Sequence, residues 1–145
     1  MKVVLVSCAA KKRNLAQGQT VAAKDLYVSP LFKMAWQYAV KMNPDRIYIL
    51  SAKHGLVPPN KKIGTYNQTL NDASTAERKR WAAEVLSALR NEGLNLSKDQ
   101  FVILAGNNYS QFLLPALKHY SLPYQDNGCA GMGYILQFLK NEIGK

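Results

Sequence analysis

Three segments of the sequence change abruptly from apolar residues to small, basic or amide residues that could act on a nucleotide. His54 follows the apolar run Arg46–Ser51, and its imidazole, with the ammonium group of Lys53, could stabilise negative charge on a leaving base. The same change follows the runs Lys2–Ser7 and 100–105. The residues in these three segments that could contact a substrate are Ser7, Lys11, Lys12, Ser51, Asn107, Asn108 and Tyr109.

The two long connections of the chain, 9–28 and 52–73, contain the other candidates. Asp25 could orient a water molecule, while Tyr66 could stack on a base whose edge Asn67 reads. Structural alternatives stay open, because Asp25 could form a loop salt bridge and Tyr66 could anchor its loop on the core. The lysines could be solvated loop charges, and an asparagine could simply cap a helix.

The sequence contains few metal-ligating residues, and none of them stands in a metal-binding pattern. Its only histidines are His54 and His119, and its two cysteines, Cys8 and Cys129, form no CxxC pair. The cysteines are expected to be reduced and packed, and His119 is expected on the surface of a helix. No glycine-rich dinucleotide motif and no P-loop motif is present. We therefore expect neither a metal site nor a cofactor.

The three apolar runs predict the strands that position these residues. Because none of them alternates between apolar and polar residues, they are typical of a parallel sheet covered on both faces. Helical patterns alternate with the runs: one begins at Ser29, a second at Ser74, a third spans 109–120, and a last one ends the chain. Residues 122–125 could form a further strand. This order predicts a single α/β domain over residues 1–145, a three-layer α/β/α arrangement with a mainly parallel central sheet of about four strands.

The predicted fold gathers the candidates at one place. Ligands of open α/β sheets bind outside the carboxyl ends of the strands. The segments after the three runs should therefore meet at one edge of the sheet, with Lys11, His54 and Asn107 on the same edge. This expectation turns scattered candidates into one predicted site.

The composition predicts an anionic partner. Lysine and arginine number 19 against 9 aspartate and glutamate residues, which gives a net charge of +10. Such an excess attracts polyanions, so the expected partner is a nucleic acid, with DNA favoured over RNA, or a free nucleotide. No apolar run approaches the ~20 residues of a membrane span, and the N-terminus does not resemble a signal peptide. We expect a soluble cytoplasmic protein without a membrane partner, and the oligomeric state stays open.

Several segments also carry a resemblance to a known family, and the Ser-Ala-Lys-His-Gly-Leu stretch that begins at Ser51 is the most specific of them. The segments are 6–12, 24–32, 49–57, 66–70 and 104–109. On them the chain resembles a small family of domains of unknown function that is similar to the peroxide-stress protein YaaA and to uracil-DNA-glycosylase-like domains. The resemblance extends to about Leu117, and the segment 126–133 departs from the pattern. It implies a glycosylase-like fold and a link to DNA or modified bases.

Three functions are compatible with these residues. The leading hypothesis is a glycosylase-like enzyme that cleaves an N-glycosidic bond, in which His54 and Lys53 stabilise the leaving base and Asp25 orients the water. In duplex DNA such an enzyme would have to flip the base out of the stack. The alternatives are a nucleic-acid-binding module without catalysis and an enzyme that acts on a small-molecule nucleotide or nucleoside.

Overall fold

The computed structural model describes residues Met1–Lys145, and its centre is a mainly parallel sheet. In chain order the elements are β1 (Lys2–Ser7), β2 (Val21–Ala22), α1 (Ala23–Leu26), α2 (Pro30–Lys41), β3 (Arg46–Ser51), β4 (Gly55–Val57), β5 (Lys62–Ile63), α3 (Thr75–Asn91), β6 (Gln100–Leu104), α4 (Asn107–Ser110), β7 (His119–Ser121), α5 (Pro123–Asp126) and α6 (Met132–Ile143). The central sheet has five strands in the order β4-β3-β1-β6-β7, of which only β4 runs antiparallel to its neighbour. The prediction that the three apolar runs form adjacent parallel strands is confirmed.

The central strands bury side chains on both faces, which explains why their sequences show no polar alternation. Val3 of β1 contributes to an apolar cluster with residues of α3, whereas its neighbour Val4 contributes to a second cluster with residues of α2 and α6. Both valines are fully buried. The chain therefore forms a single α/β domain whose sheet separates two apolar clusters.

The predicted helix starts at Ser29 and Ser74 are both confirmed. The Oγ of Ser29 accepts a hydrogen bond from the backbone N–H of Phe32 at 3.2 Å, and Pro30 occupies the first position of α2. At the start of α3 the Oγ of Ser74 accepts a hydrogen bond from the backbone N–H of Glu77 at 3.2 Å and donates to the Oε1 of Glu77 at 3.1 Å. None of the six helices combines the length and the apolar character that crossing a membrane would require.

The third predicted helix, over residues 109–120, is wrong. Helix α4 ends at Ser110, a 3₁₀ turn follows at Leu114–Ala116, and the chain then enters strand β7. Pro115 explains the break, because it has no N–H to donate and its ring clashes with the preceding helical turn. His119 consequently lies exposed on a strand rather than on a helix.

The predicted strand at 122–125 is also wrong, since Pro123–Asp126 forms helix α5. The edge strand β7 lies just before it, and two of its three residues are exposed. Such a short, exposed strand has little apolar signal in the sequence. The antiparallel strand β4 has only three residues, too few to predict as an apolar run, and with β7 it gives five strands instead of about four.

The two long connections are structured and are held together. Strand β2 from the first pairs antiparallel with β5 from the second, and the backbone N–H of Ala23 donates to the carbonyl oxygen of Lys61 at 2.8 Å. Within the first connection, Val28 donates its backbone N–H to the carbonyl oxygen of Lys11. These contacts hold the segment that follows β1 against the segment that follows β4.

Register fixes the edge that carries the candidate site. Ser7 lies opposite Leu50 of β3, and Val6 lies opposite Leu104 of β6. The three strands therefore end at the same level, and the polar segments that follow them begin side by side. The sequence-based expectation of a shared carboxyl edge is confirmed.

Candidate functional site at the carboxyl edge

Tyr66 is the centre of a polar cluster at this edge. Its hydroxyl accepts a hydrogen bond from the Oγ of Ser51 at 2.9 Å and is also hydrogen bonded to the hydroxyl of Tyr27. The ammonium group of Lys12 lies 4.3 Å from the centroid of its ring, and the ring of His54 packs edge-to-face on it at 5.6 Å. Two basic side chains thus converge on one buried tyrosine ring.

The position of His54 is fixed through its backbone, and much of its side chain is exposed. Its N–H donates to the Oγ of Ser51 at 3.0 Å, and the next residue, Gly55, has a φ of 70° that favours glycine. Partial burial of the imidazole, together with the positive charges of Lys53 and Lys61, lowers the pKa of His54 below its ordinary value. The ring is therefore neutral at neutral pH and can donate one hydrogen bond.

The hydrogen-bond order in this cluster follows from the donors available. The Oγ of Ser51 accepts from the backbone N–H of His54 and donates to the hydroxyl of Tyr66, which shares a further hydrogen bond with the hydroxyl of Tyr27. Burial raises the pKa of Tyr27 to about 12 and raises that of Tyr66 further. Both phenols therefore stay protonated, and the cluster is a set of neutral hydrogen bonds that fixes the backbone of His54.

Lys12 has no acidic partner. The only lysine or arginine that forms a salt bridge in the protein is Lys145, and it lies at the C-terminus. The Lys12 ammonium donates one hydrogen bond, to the carbonyl oxygen of Ala10, and otherwise lies over the rings of Tyr66 and Tyr27. Burial lowers the pKa of Lys12 from its ordinary value, and the nearby thiol of Cys8 opposes that shift. An anionic ligand could supply the negative charge that the protein does not.

A second group of predicted residues lies at the end of β6. The hydroxyl of Tyr109 is 3.5 Å from the Sγ of Cys8 and 3.5 Å from the backbone nitrogen of Leu70. The side-chain amide of Asn108 donates to the Oδ1 of Asn71 at 2.7 Å. These contacts attach the segment 67–73 to the first turn of α4, so that both line the same edge.

The other predicted residues separate into buried and exposed ones. Ser51 is fully buried, so in this structure it positions His54 and Tyr66 and has no surface for a ligand. Tyr66 is only 7% exposed, which favours the alternative that it anchors its loop over the interpretation that it stacks on a base. Ser7 is half-buried and donates to the carbonyl oxygen of Cys8. The exposed residues, which have no side-chain hydrogen bond, are Lys11, Asp25, Asn67 and Asn107.

Lys53 lines a cavity that His54 does not reach. The cavity has a volume of about 410 Å³ and opens between the end of β3, the segment 67–73 and helix α3. Its lining includes Asn67, Arg80 and Trp81 as well as three carboxylate side chains. The two neighbouring residues that we grouped as one catalytic pair therefore face different surroundings.

Sequence reasoning missed three residues that shape this edge. Cys8 was expected only to pack, and Tyr27 was part of a noted segment but was not assigned a role. Trp81 lies in the helix predicted to begin at Ser74 but was not named as a candidate, and its indole Nε1 donates to the carbonyl oxygen of Ser51 at 2.8 Å. The chemistry of tyrosine and tryptophan could have indicated two of them, because a buried tyrosine or tryptophan usually needs a hydrogen-bond partner for its polar atom.

The edge offers neutral hydrogen-bond donors and cations without carboxylate partners. No three His, Cys, Asp or Glu side chains are grouped closely enough to hold a metal ion. Tyr27, Tyr66 and Tyr109 all have pKa values raised by burial, and Lys12 and Lys53 have no carboxylate partner. Chemically, this arrangement suits an anionic ligand with hydrogen-bonding groups.

Comparison with known proteins identifies a family. The sequence pattern of a family of unknown function, DUF6884, matches residues 3–141. No curated protein and no solved structure matches the chain. The match provides no link to the peroxide-stress protein YaaA or to uracil-DNA-glycosylase-like domains, so that resemblance stays a prediction. Because the matched residues span nearly the whole chain, the protein belongs to the DUF6884 family of unknown function.

Proposed function

We propose that the protein is a base-processing enzyme that cleaves an N-glycosidic bond of a nucleic acid at the carboxyl edge of its sheet. The observation that carries the proposal is the convergence of Lys12 and His54 on the ring of Tyr66 without an acidic partner. A base that departs from its sugar takes the bonding electrons and becomes negatively charged. Preorganised cations and hydrogen-bond donors stabilise such a charge most where water is partly excluded.

The proposed reaction is a hydrolysis. A water oxygen bonds to the anomeric carbon of the sugar, the bond from that carbon to the base nitrogen breaks, and the electron pair leaves with the base. His54 donates a hydrogen bond to the departing base, and Lys53, whose side chain lines the neighbouring cavity, adds a positive charge that also acts on His54. Asp25, an exposed carboxylate without a salt bridge, accepts the proton of the water. The base anion takes a proton from solvent, and Asp25 releases to solvent the proton it accepted, so the net reaction adds one water across the glycosidic bond.

The remaining polar residues are assigned to recognition. Lys11 and Lys12 would bind phosphate, and the exposed amides of Asn67 and Asn107 would read the base edge. The net charge of +10 supports a polyanionic substrate, for which we keep DNA ahead of RNA. The same proposal includes a three-layer α/β/α arrangement, which the separate apolar clusters on the two sides of the sheet support.

A second candidate is an enzyme that acts on a free nucleotide or nucleoside. It is favoured by the cavity of about 410 Å³ next to Lys53, because small-molecule sites occupy about 300–1,000 Å³. A binding module without catalysis is the third candidate. It is favoured by the fact that no carboxylate is hydrogen bonded to His54.

Base release separates these candidates. Incubation of the protein with oligonucleotides of each base composition is expected to yield free base and an abasic strand in equal amounts, measured by chromatography. Parallel reactions contain the matching free nucleotides. Release from free nucleotides alone supports the small-molecule enzyme. Intact oligonucleotides in the presence of demonstrated binding support the module and contradict the enzyme.

Oligonucleotide affinity is expected to fall steeply between about 50 and about 200 mM salt, because each neutralised phosphate releases condensed counterions. Replacing Lys12 by glutamine should reduce the salt slope by about one phosphate contact. Lys98→Gln is the matched control, since Lys98 is an exposed lysine just before the amino end of β6. Fluorescence anisotropy at several salt concentrations measures both slopes. Equal slopes for the two variants would remove Lys12 from the phosphate-binding surface.

A further inference from the structure

The start of helix α6 carries the most exposed large apolar side chains of the protein. Met132 is 64% exposed and Tyr134 is 67% exposed. They belong to an uncharged stretch, residues 127–139, in a chain whose net charge is +10. Neither side chain makes a hydrogen bond or an aromatic contact within the protein. This stretch therefore presents exposed apolar side chains and no charge in a strongly basic protein.

The stretch lies at the same edge of the sheet as the polar cluster. It follows β7, which runs parallel to β6, and Gln125 donates its side-chain amide to the carbonyl oxygen of Ala105 at 3.1 Å. The contacts at the C-terminal end of α6 support the same placement. Lys41 at the end of α2 donates to the carbonyl oxygens of Glu142 and Ile143. Since α2 leads into the amino end of β3, α6 must begin at the carboxyl edge.

It also lies on the same side of the sheet as Tyr66. Tyr27, Tyr66 and Leu139 of α6 belong to one apolar cluster, against which Ile135 also packs. The strand order places β3, β1, β6 and β7 in a row, so the loops after β3 and β7 are separated by three strand spacings, about 15 Å. Basic loops thus follow β3 and β1, and the chain reaches Tyr134 from the other end of the row, through α5.

We propose that Tyr134, supported by Met132, is a stacking platform for an unpaired base of single-stranded nucleic acid. The inference rests on the proposed function, because it assumes that the phosphates of the same strand bind the basic loops around Lys12. Aromatic rings without a polar partner bind the faces of bases, while a positively charged groove follows the backbone. An uncharged platform beside cationic loops matches the two parts of one strand. A second copy of the chain would gain nothing from the neighbouring positive charge, which favours a polyanion as the occupant.

The test is Tyr134→Ser, compared with Tyr120→Ser as the matched control. Tyr120 is 44% exposed on the edge strand β7. The probe is a single-stranded DNA oligonucleotide that contains the fluorescent base 2-aminopurine. We expect Tyr134→Ser to weaken binding by about 5- to 100-fold and to remove the quenching that stacking causes, with the salt slope unchanged. Tyr120→Ser should bind like the wild-type protein.

Equal affinity and equal quenching for Tyr134→Ser and the wild type would overturn the platform. Failure of the wild-type protein to bind single-stranded DNA would also overturn it. So would self-association of the wild type in sedimentation that Tyr134→Ser abolishes, because the patch would then be a contact between copies of the chain. The proposed function fails separately. If the wild-type protein releases base and Tyr134→Ser binds DNA as tightly as the wild type, only the stacking platform is rejected. Binding that depends on Tyr134 without any base release rejects only the enzyme.

Discussion

Replacing His54 by alanine is expected to lower the rate of base release by about 100- to 1,000-fold, the usual loss when one donor to a developing anion is removed. The melting temperature should change little. The exposed imidazole contributes only an edge contact to Tyr66, and the hydrogen bond to Ser51 comes from the backbone and survives in the variant. Single-turnover base release and thermal unfolding, measured on one preparation, test both expectations.

The pH dependence of the same reaction gives an independent check. Partial burial and the charges of Lys53 and Lys61 lower the pKa of His54, so the neutral donor persists at neutral and mildly acidic pH. Activity should hold as the pH falls past about 6.5, the ordinary histidine value, and should be lost as it passes through the lowered pKa. Any stability from the neutral imidazole follows the same direction: it is present above the unfolded pKa and is lost on acidification.

Lys61→Gln removes one of the charges that lower this pKa. It should therefore move the acid limb of the activity profile to higher pH, while His54→Ala should eliminate that limb. A structural role for His54 makes the opposite prediction. If His54→Ala lowers the melting temperature by several degrees and leaves the rate per folded molecule unchanged, the catalytic assignment is wrong.

The parts of the fold that could be predicted are those set by local chemistry. β1, β3 and β6 are buried on both faces, so their apolar runs were long enough to distinguish from the helices between them. Ser29 and Ser74 marked helix starts because each hydroxyl satisfies a backbone N–H that the helix leaves free. The shared carboxyl edge then followed from parallel pairing alone.

The segment between Tyr109 and Asp126 could not be predicted in the same way. Its apolar residues recur at helical spacing, but Pro115 breaks the helix and the next three-residue strand lies exposed at the sheet edge. A strand of this kind is stabilised by pairing with Phe101 and its neighbours in β6. That pairing is a tertiary contact, and nothing in the local sequence specifies it.

The candidate site shows the same limit. Ser51, His54 and Tyr66 were predicted as members of one site, and the structure brings them into contact. The sequence alone could not predict which of these three side chains would be buried. Burial of Tyr66 depends on Tyr27, which is 39 residues away in the chain and bonds to its hydroxyl. The functional candidates that remain accessible are consequently the lysines, His54 and the amides, not the tyrosine.

Trp81→Ala is expected to lower the free energy of unfolding by about 3–5 kcal/mol, the usual cost of truncating a buried aromatic residue. Trp81 is only 7% exposed and packs edge-to-face on Tyr109 with 5.6 Å between ring centroids. Its indole N–H also donates to the carbonyl oxygen of Ser51, which fastens α3 to the end of β3. For a domain of this size, the loss corresponds to a fall in melting temperature of about 10–15 °C.

Trp81→Phe separates packing from the hydrogen bond. Phenylalanine keeps most of the buried ring but cannot donate to Ser51, so it should cost about 1–3 kcal/mol. Trp36→Ala serves as the control, because Trp36 is half-buried on α2, where it stacks on Phe32 and packs against the apolar cluster on the other side of the sheet. Urea unfolding of the three variants measures the differences. If Trp81→Phe is as stable as the wild type, the bond to Ser51 does not hold the end of β3. If Trp81→Ala lowers the free energy of unfolding no more than Trp36→Ala does, the packing of Trp81 makes no special contribution to the stability of the domain.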